Sequence, residues 1–403
     1  MARLLSTGEI VDRAQRQPPA PLRLAFRPFF LLGALFSVIS LLLWVALFSG
    51  QLQLAVYGGP LWWHLHEMLF GFVTAIIVGF LLTAVRTWTG QPGLEGRPLA
   101  ALVGLWLAGR LLLLFPLSLP PWLIALVDLA FLPLAALILF LPVARVRQWR
   151  NSIFLPLLLA MAAINGVMHW AANAGDPGLQ SRAATAMVML VTLLMTIMAG
   201  RVVPMFTANG TGTPRVEALG WLETLSLGSM LATAVVSLPW PGMPPAAVAL
   251  CCFVAALAHA LRGLRWRIWV TVRTPLVWSL HLSYLCIPLG LLLYGLSAVS
   301  SLVSPSQAIH TLTVGAMGLL ILAMISRVSL GHTGRPLQAG RVMTLAFALL
   351  FAAFLVRVFG SYWLSSYTLV INSAAVLWAL GFGCFVIRYW PVLTRPRVDG
   401  RPG

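Results

Sequence analysis

Lysine is absent from this 403-residue sequence, and only nine residues are acidic. Charged residues make up 9% of the chain and apolar residues 60%, a balance on which no soluble globular fold is built. Cysteine is scarce. Cys251, Cys252, Cys286 and Cys384 all lie inside apolar runs, with no C-x-x-C spacing. Adjacent Cys251 and Cys252 would point about 100° apart on a helix. All four therefore read as buried small hydrophobes, not as a metal or redox set. No secretory leader is expected, and the opening reads as a short cytoplasmic tail. The polar first 25 residues, with Arg3, Arg13, Arg16 and Arg23, precede an apolar run that is too long for a signal peptide and has no small-residue cleavage site. No soluble domain is inserted, because connections between apolar runs reach only roughly 15 residues. No internal repeat is visible, which counts against an inverted-repeat transporter.

What the chain does have is apolar runs of about 20 residues, the length that crosses a bilayer as a helix. Twelve are predicted: 26–49, 61–85, 98–115, 121–143, 152–173, 182–201, 217–238, 244–262, 275–298, 307–328, 341–360 and 366–390. Pro60, Pro120, Pro121, Pro241, Pro275 and Pro305 sit at boundaries, where proline opens helices, while Pro133, Pro156 and Pro288 fall inside spans. The net charge of +17 comes from arginines placed singly and in short groups at the ends of these runs. That is the positive-inside pattern and not a nucleic-acid stripe. With the N-terminus cytoplasmic, all 26 arginines but Arg110, Arg182 and Arg357 fall on the inner side. The expected fold is an all-α polytopic membrane bundle. Its tails, 1–25 and 391–403, are cytoplasmic and flank one membrane domain at 26–390.

This topology gives each histidine a depth. His64, His66, His169 and His310 come from three spans and fall near their outer ends, while His259, His281 and His332 lie toward the cytoplasm. Ionisable groups inside a membrane are costly and mark function by default, so four histidines at one depth point to a metal or haem site. His64 and His66 are two residues apart, about 200° around a helix, so they do not easily ligate one ion and can face two different centres on opposite sides of it. Glu67, three residues from His64, is expected on the His64 face to orient that ring or shuttle a proton. Gly71, Ala75 and Gly79 are expected to continue that face, for close helix packing or the approach of a flat macrocycle. Met161, Asn165 and His169 share a stripe, as do His310, Met317 and Met324; the methionines read as core filling before metal ligation. Trp62, Trp63 and Trp170 read as an interfacial belt.

A second constellation is expected at the inner face, where GRVVPMFTANG and SRVSLGHTGRP supply Arg201, Arg327, His332 and Arg335 on backbone loosened by Pro204, Gly331 and Gly334. Arginines with a histidine there suit haem propionates or another anion.

FRPFFL (26–31), WHLHEMLFGF (63–72), AGRVVPMFT (199–207) and HTLTVGAMG with SRVSLGHTGRP (310–336) occur in the order seen in one family. On these four motifs the sequence resembles the NnrS family of bacterial inner-membrane proteins, over essentially the whole chain. The resemblance implies a role in nitric oxide resistance and nitrosative stress, and bound haem, taken as b-type, and copper. Carried onto matching positions, it implicates Arg27, His64, His66, Glu67, Arg201, Pro204, His310, Arg327, His332 and Arg335. His64, His66, His169, His310, Glu67, Arg27, Arg201, Arg327 and Arg335 are the expected cofactor-binding residues, and His64, His66, His310, His332 and His281 the expected metal ligands. The H-x-H pair is also similar to that of haem–copper oxidases and nitric oxide reductases. However, the chain lacks their H-x-x-x-Y and adjacent His-His copper motif, so a haem protein that binds nitric oxide is favoured over a reductase fed by quinol or a cytochrome. A transporter is a third expectation, with Asp128 as its coupling carboxylate.

Overall fold

The computed structural model describes residues 18–239 and 243–401. Residues 1–17 of the expected N-terminal tail, Pro241 and the last two residues lie outside them. Among the described residues there is no strand, and eleven helices are long and apolar enough to cross a membrane. They are α1 (Phe26–Phe48), α2 (Pro60–Thr89), α3 (Gly96–Leu114), α4 (Pro121–Arg145), α5 (Trp149–Ala174) and α6 (Pro177–Thr211), then α8 (Pro245–Arg265), α9 (Pro275–Val299), α10 (Pro305–His332), α11 (Gly340–Tyr362) and α12 (Tyr367–Thr394). The remaining helix, α7 (Gly220–Val236), has 17 residues and spans about 26 Å. It still runs the depth of the bundle. Near its start, Glu223 pairs with Arg262 at the far end of α8, while Val236 lines a cavity at the opposite end. Among the described residues twelve helices therefore make the bundle, and α12 packs back on α1.

Proline sets the helix starts: Pro60, Pro121, Pro177, Pro245, Pro275 and Pro305 all occupy first-turn positions, where the missing N–H costs nothing. Pro133 interrupts α4 at Ala130, since its ring crowds the carbonyl of Leu129. Two expected loops are helical instead. α6 continues through Pro204 to Thr211, and α10 reaches His332, so the connection after it begins only at Thr333. The last helix ends at Thr394 and not at 390. In each case, neighbouring helices supply enough contact to hold a polar helix end that composition alone assigns to a loop.

The small-residue stripe on α2 packs helices. A side chain at Gly79 would meet Phe29 at 2.7 Å, and Ala75 sits against Gly33 of α1. Trp62 and Trp63 are each only 1% exposed, so they are core residues and not a belt; Trp170, 70% exposed, faces outward. The crossing of α7 has a direct check. Reporter fusions near Gln53 and Val303 are expected to report the same side, and fusions near Gln148 and Arg267 the other. If α7 did not cross, Val303 would change sides.

Candidate functional sites on the two faces of α2

His66 and Glu67 lie on one face of α2 and meet α3, α4 and α5. His66 Nδ1 is 3.0 Å from Glu67 Oε1, and its Nε2 is 3.1 Å from Asp128 Oδ2 and 2.8 Å from Asn165 Oδ1. Asn165 Nδ2 donates to Asp128 Oδ2 at 2.7 Å, which fixes the amide oxygen toward His66. Arg110 donates to Glu67 Oε1 at 2.8 Å and also pairs with Asp128 Oδ1. His169 Nε2 is 3.1 Å from Asp128 Oδ2, while its Nδ1 is 3.3 Å from the Tyr57 hydroxyl. Burial raises the Tyr57 pKa, so this hydroxyl keeps its hydrogen for His169. Both ring nitrogens of His66 meet only acceptor oxygens, so one proton beyond the neutral imidazole is shared between His66 and its carboxylates. That proton, Arg110 and the two carboxylates sum to zero charge, the condition for burying such a set.

Glu67 thus partners His66 and not His64. From Glu67 to Val73 the helix takes a wide turn with i→i+5 hydrogen bonds, which shifts the residues that follow around the axis. Gly71 turns with it. A side chain there would strike Phe36, Arg110 and Glu67 at 2.7–2.9 Å, so Gly71 serves the His66 face and does not continue the His64 face.

His64 points the other way. Its ring stacks on Trp44 with centroids 3.9 Å apart, and it borders a cavity of about 910 Å³. His310 of α10 borders the same cavity. His310 Nδ1 donates to the Ser306 carbonyl at 2.7 Å, which leaves Nε2 as the ring's free lone pair. A second wide turn, Thr311–Gly318, follows His310 directly. Met68, Met317, Phe72 and Trp378 form apolar walls, and Arg182 and Arg357 stand near the mouth. Arg357 is held by Ser306 Oγ and the Tyr367 hydroxyl at 3.1 and 3.2 Å. The two histidines of H-x-H therefore serve two separate sites, and each is stacked by a tryptophan, Trp44 on His64 and Trp62 on His66.

The remaining expected residues are not brought into either site. Arg27 donates to the carbonyls of Leu393 and Arg395 and closes the end of α12. Arg201 bonds Asn151 Oδ1 at 3.1 Å and lies over Phe154. Arg327 lies 4.0 Å over the Phe206 ring. His332 packs at a tilt against Phe26, and His281 shares a 2.7 Å hydrogen bond with Thr207. Arg335 borders a smaller cavity at the other end of the bundle. These residues have separate partners and form no single inner constellation. Sequence reasoning missed Arg110, Arg182 and Arg357 and gave Asp128 only a transport role. The signal was present, because those arginines are the exceptions to the positive-inside count.

The fold and sites define a polytopic helical membrane protein with two histidine centres, one on each face of a single helix. The chain belongs to the NnrS family, whose family model, described as NnrS protein, matches residues 20–397. No curated protein matches the sequence.

Proposed function

We propose that this is a haem- and copper-binding protein of the bacterial inner membrane that acts in resistance to nitric oxide. The observation that carries the reading is the shared cavity of His64 and His310. Two imidazoles from different helices border one apolar space at the upper end of the range that cofactor sites occupy. The residues fit haem. His310 carries the backbone-anchored Nδ1–H that orients metal-binding histidines, His64 Nδ1 is buried without a partner, and Arg182 and Arg357 suit propionates. When bound, reduced haem would supply an iron able to take nitric oxide. The chain's own contribution is to hold the ligand rings, exclude water with Phe72, Trp378 and Met317, and admit a small apolar gas from the bilayer.

The His66 cluster fits copper. Asp128, His66 and His169 each offer a ligand atom, and these atoms all lie within 4.8 Å of one another. Glu67 would accept from the outer N–H of His66, as the second partner of a metal-bound histidine does, and the Tyr57 hydroxyl would accept from the outer N–H of His169 once that ring had moved its proton from Nε2 to Nδ1. A monovalent ion would replace the shared proton without changing the net charge.

A second reading, turnover of nitric oxide or oxygen with quinol or a cytochrome as donor, is favoured by a metal-capable cluster only two residues from His64. The transporter reading loses support, because no acidic residue lines the large cavity and Asp128 is locked to Arg110. The test is the visible spectrum and the iron and copper content of protein purified from haem-replete cells. A haem band that shifts on adding nitric oxide to the reduced protein is expected, with copper present. A colourless, iron-free protein overturns the reading.

A further inference from the structure

A second cavity, of about 340 Å³, opens at the end of the bundle opposite His64 and His310. It lies between the end of α10, the loop 333–339, the start of α11 and the end of α12. Arg335, Arg388 and Arg395 converge on it beside Gln338, and no acidic side chain lines it. The start of α11 adds more positive character. Ala339 and Gly340 border the cavity, and this long helix begins with neither a side-chain cap nor an acidic first turn.

Positive-inside anchoring explains arginines that reach singly into headgroups. It does not explain three that gather at one concavity, where each raises the cost of the others. Nearby arginines have their charge met: Arg397 pairs with Asp399 at 2.5 Å, and Arg27 is committed to two carbonyls. Among the described residues the arginine–carboxylate pairs are those of Arg110, Arg262 and Arg397, so Arg335, Arg388 and Arg395 have none. Arg335 is held below the ordinary guanidinium range, first by burial and then by the charge of Arg395. An anion in the cavity would relieve both like-charge repulsion and desolvation.

The surroundings say where that anion comes from. Ile387 is 79% exposed, Trp390 53% and Leu337 46%, and all three flank the cavity-lining residues in sequence. An apolar, lipid-facing strip bordering a basic pocket matches a molecule with an anionic head and apolar chains. We propose that this cavity binds the phosphate of an acidic phospholipid, with Arg335, Arg388 and Arg395 as the phosphate ligands and the Trp390 side receiving an acyl chain. This site does not depend on haem or copper.

The test compares thermal unfolding of the purified full-length protein in detergent, alone, with added phosphatidylglycerol, with added phosphatidylcholine, and with inorganic phosphate. Phosphatidylglycerol is expected to raise Tm by about 2–4 °C while phosphatidylcholine does not. The R335Q/R388Q/R395Q variant should keep or raise its lipid-free Tm, since it removes the like-charge repulsion, but lose the rise with lipid. A variant with the exposed R145Q/R147Q/R150Q changes should keep the rise. An equal rise with inorganic phosphate, also lost in the first variant, supports the anion site and assigns it to a soluble phosphate. No rise, or a rise that survives R335Q/R388Q/R395Q, overturns the proposal. If that variant is already unstable without lipid, the single R388Q protein, changed at an exposed position, is the deciding sample: an undiminished rise in it overturns the proposal, and a reduced one supports it.

Discussion

Purified His310→Ala protein is expected to lose its haem absorbance, whereas His66→Ala keeps that absorbance and loses copper. The first half follows from the cavity. His310 offers Nε2 on a ring fixed through Nδ1 to the Ser306 carbonyl. Removing outer partners alone costs metal sites about 10–100-fold in affinity, so removing the ring itself should cost at least that. His64→Ala should behave like His310→Ala, since the two rings border one space. The second half follows from α2. His66 is fully buried on the opposite face, with Glu67, Asp128 and His169. Cells lacking the protein should grow worse under nitric oxide release, and His310→Ala should fail to rescue them although it is present in the membrane. Identical spectra for the His64→Ala and His66→Ala proteins would end the two-centre reading. Full rescue by His310→Ala would end the haem reading.

How much of this was legible in the sequence depends on the kind of information. The bundle was legible because hydropathy is additive: a 20-residue apolar run needs no partner to announce itself. The opposite directions of His64 and His66 were legible because the helical angle at a spacing of two survives almost any context. The face that Gly71 takes was not. A wide turn inserts extra residues into the ladder from Glu67 to Val73, and no residue type specifies it. The same holds after His310, where Thr311–Gly318 form the second such turn. The burial of Trp62 was also hidden, since a tryptophan near a span end looks the same whether it meets a headgroup or stacks 4.5 Å from His66. The inner arginines show the converse error. Arg27, Arg201 and Arg327 share motifs and a side of the membrane, yet packing gives each its own carbonyl, amide or ring. The most informative residues were the three that broke the charge rule. Arg110, Arg182 and Arg357 lie toward the arginine-poor end, and each belongs to one of the two histidine sites. A charge kept where topology disfavours it has to be compensated by chemistry.

The stability of the His66 cluster should turn on Arg110 more than on any other side chain. Arg110 is 5% exposed and donates to Glu67, while its other amino group pairs with Asp128. Replacing it by methionine fills similar space but leaves the cluster with a net negative charge in a membrane interior. Breaking a buried pair by removing one partner costs about 3–5 kcal/mol, because the other charge stays buried and uncompensated. Arg110→Met is therefore expected to fold poorly or unfold at much lower denaturant. Removing a matching carboxylate should reverse much of that loss. In Arg110→Met/Asp128→Asn, Glu67 remains opposite the shared proton on His66, and the charge again sums to zero. The double variant should recover more than about 1 kcal/mol over the single one, a coupling within the range for residues of one network. Asp128→Asn alone should be destabilised too, since it leaves excess positive charge and takes an acceptor from His66, Asn165 and His169. Denaturant unfolding of the four proteins in one detergent measures the cycle. An Arg110→Met cost within about 0.5 kcal/mol, the scale of an unremarked surface change, would mean that the cluster is not the closed charge set described.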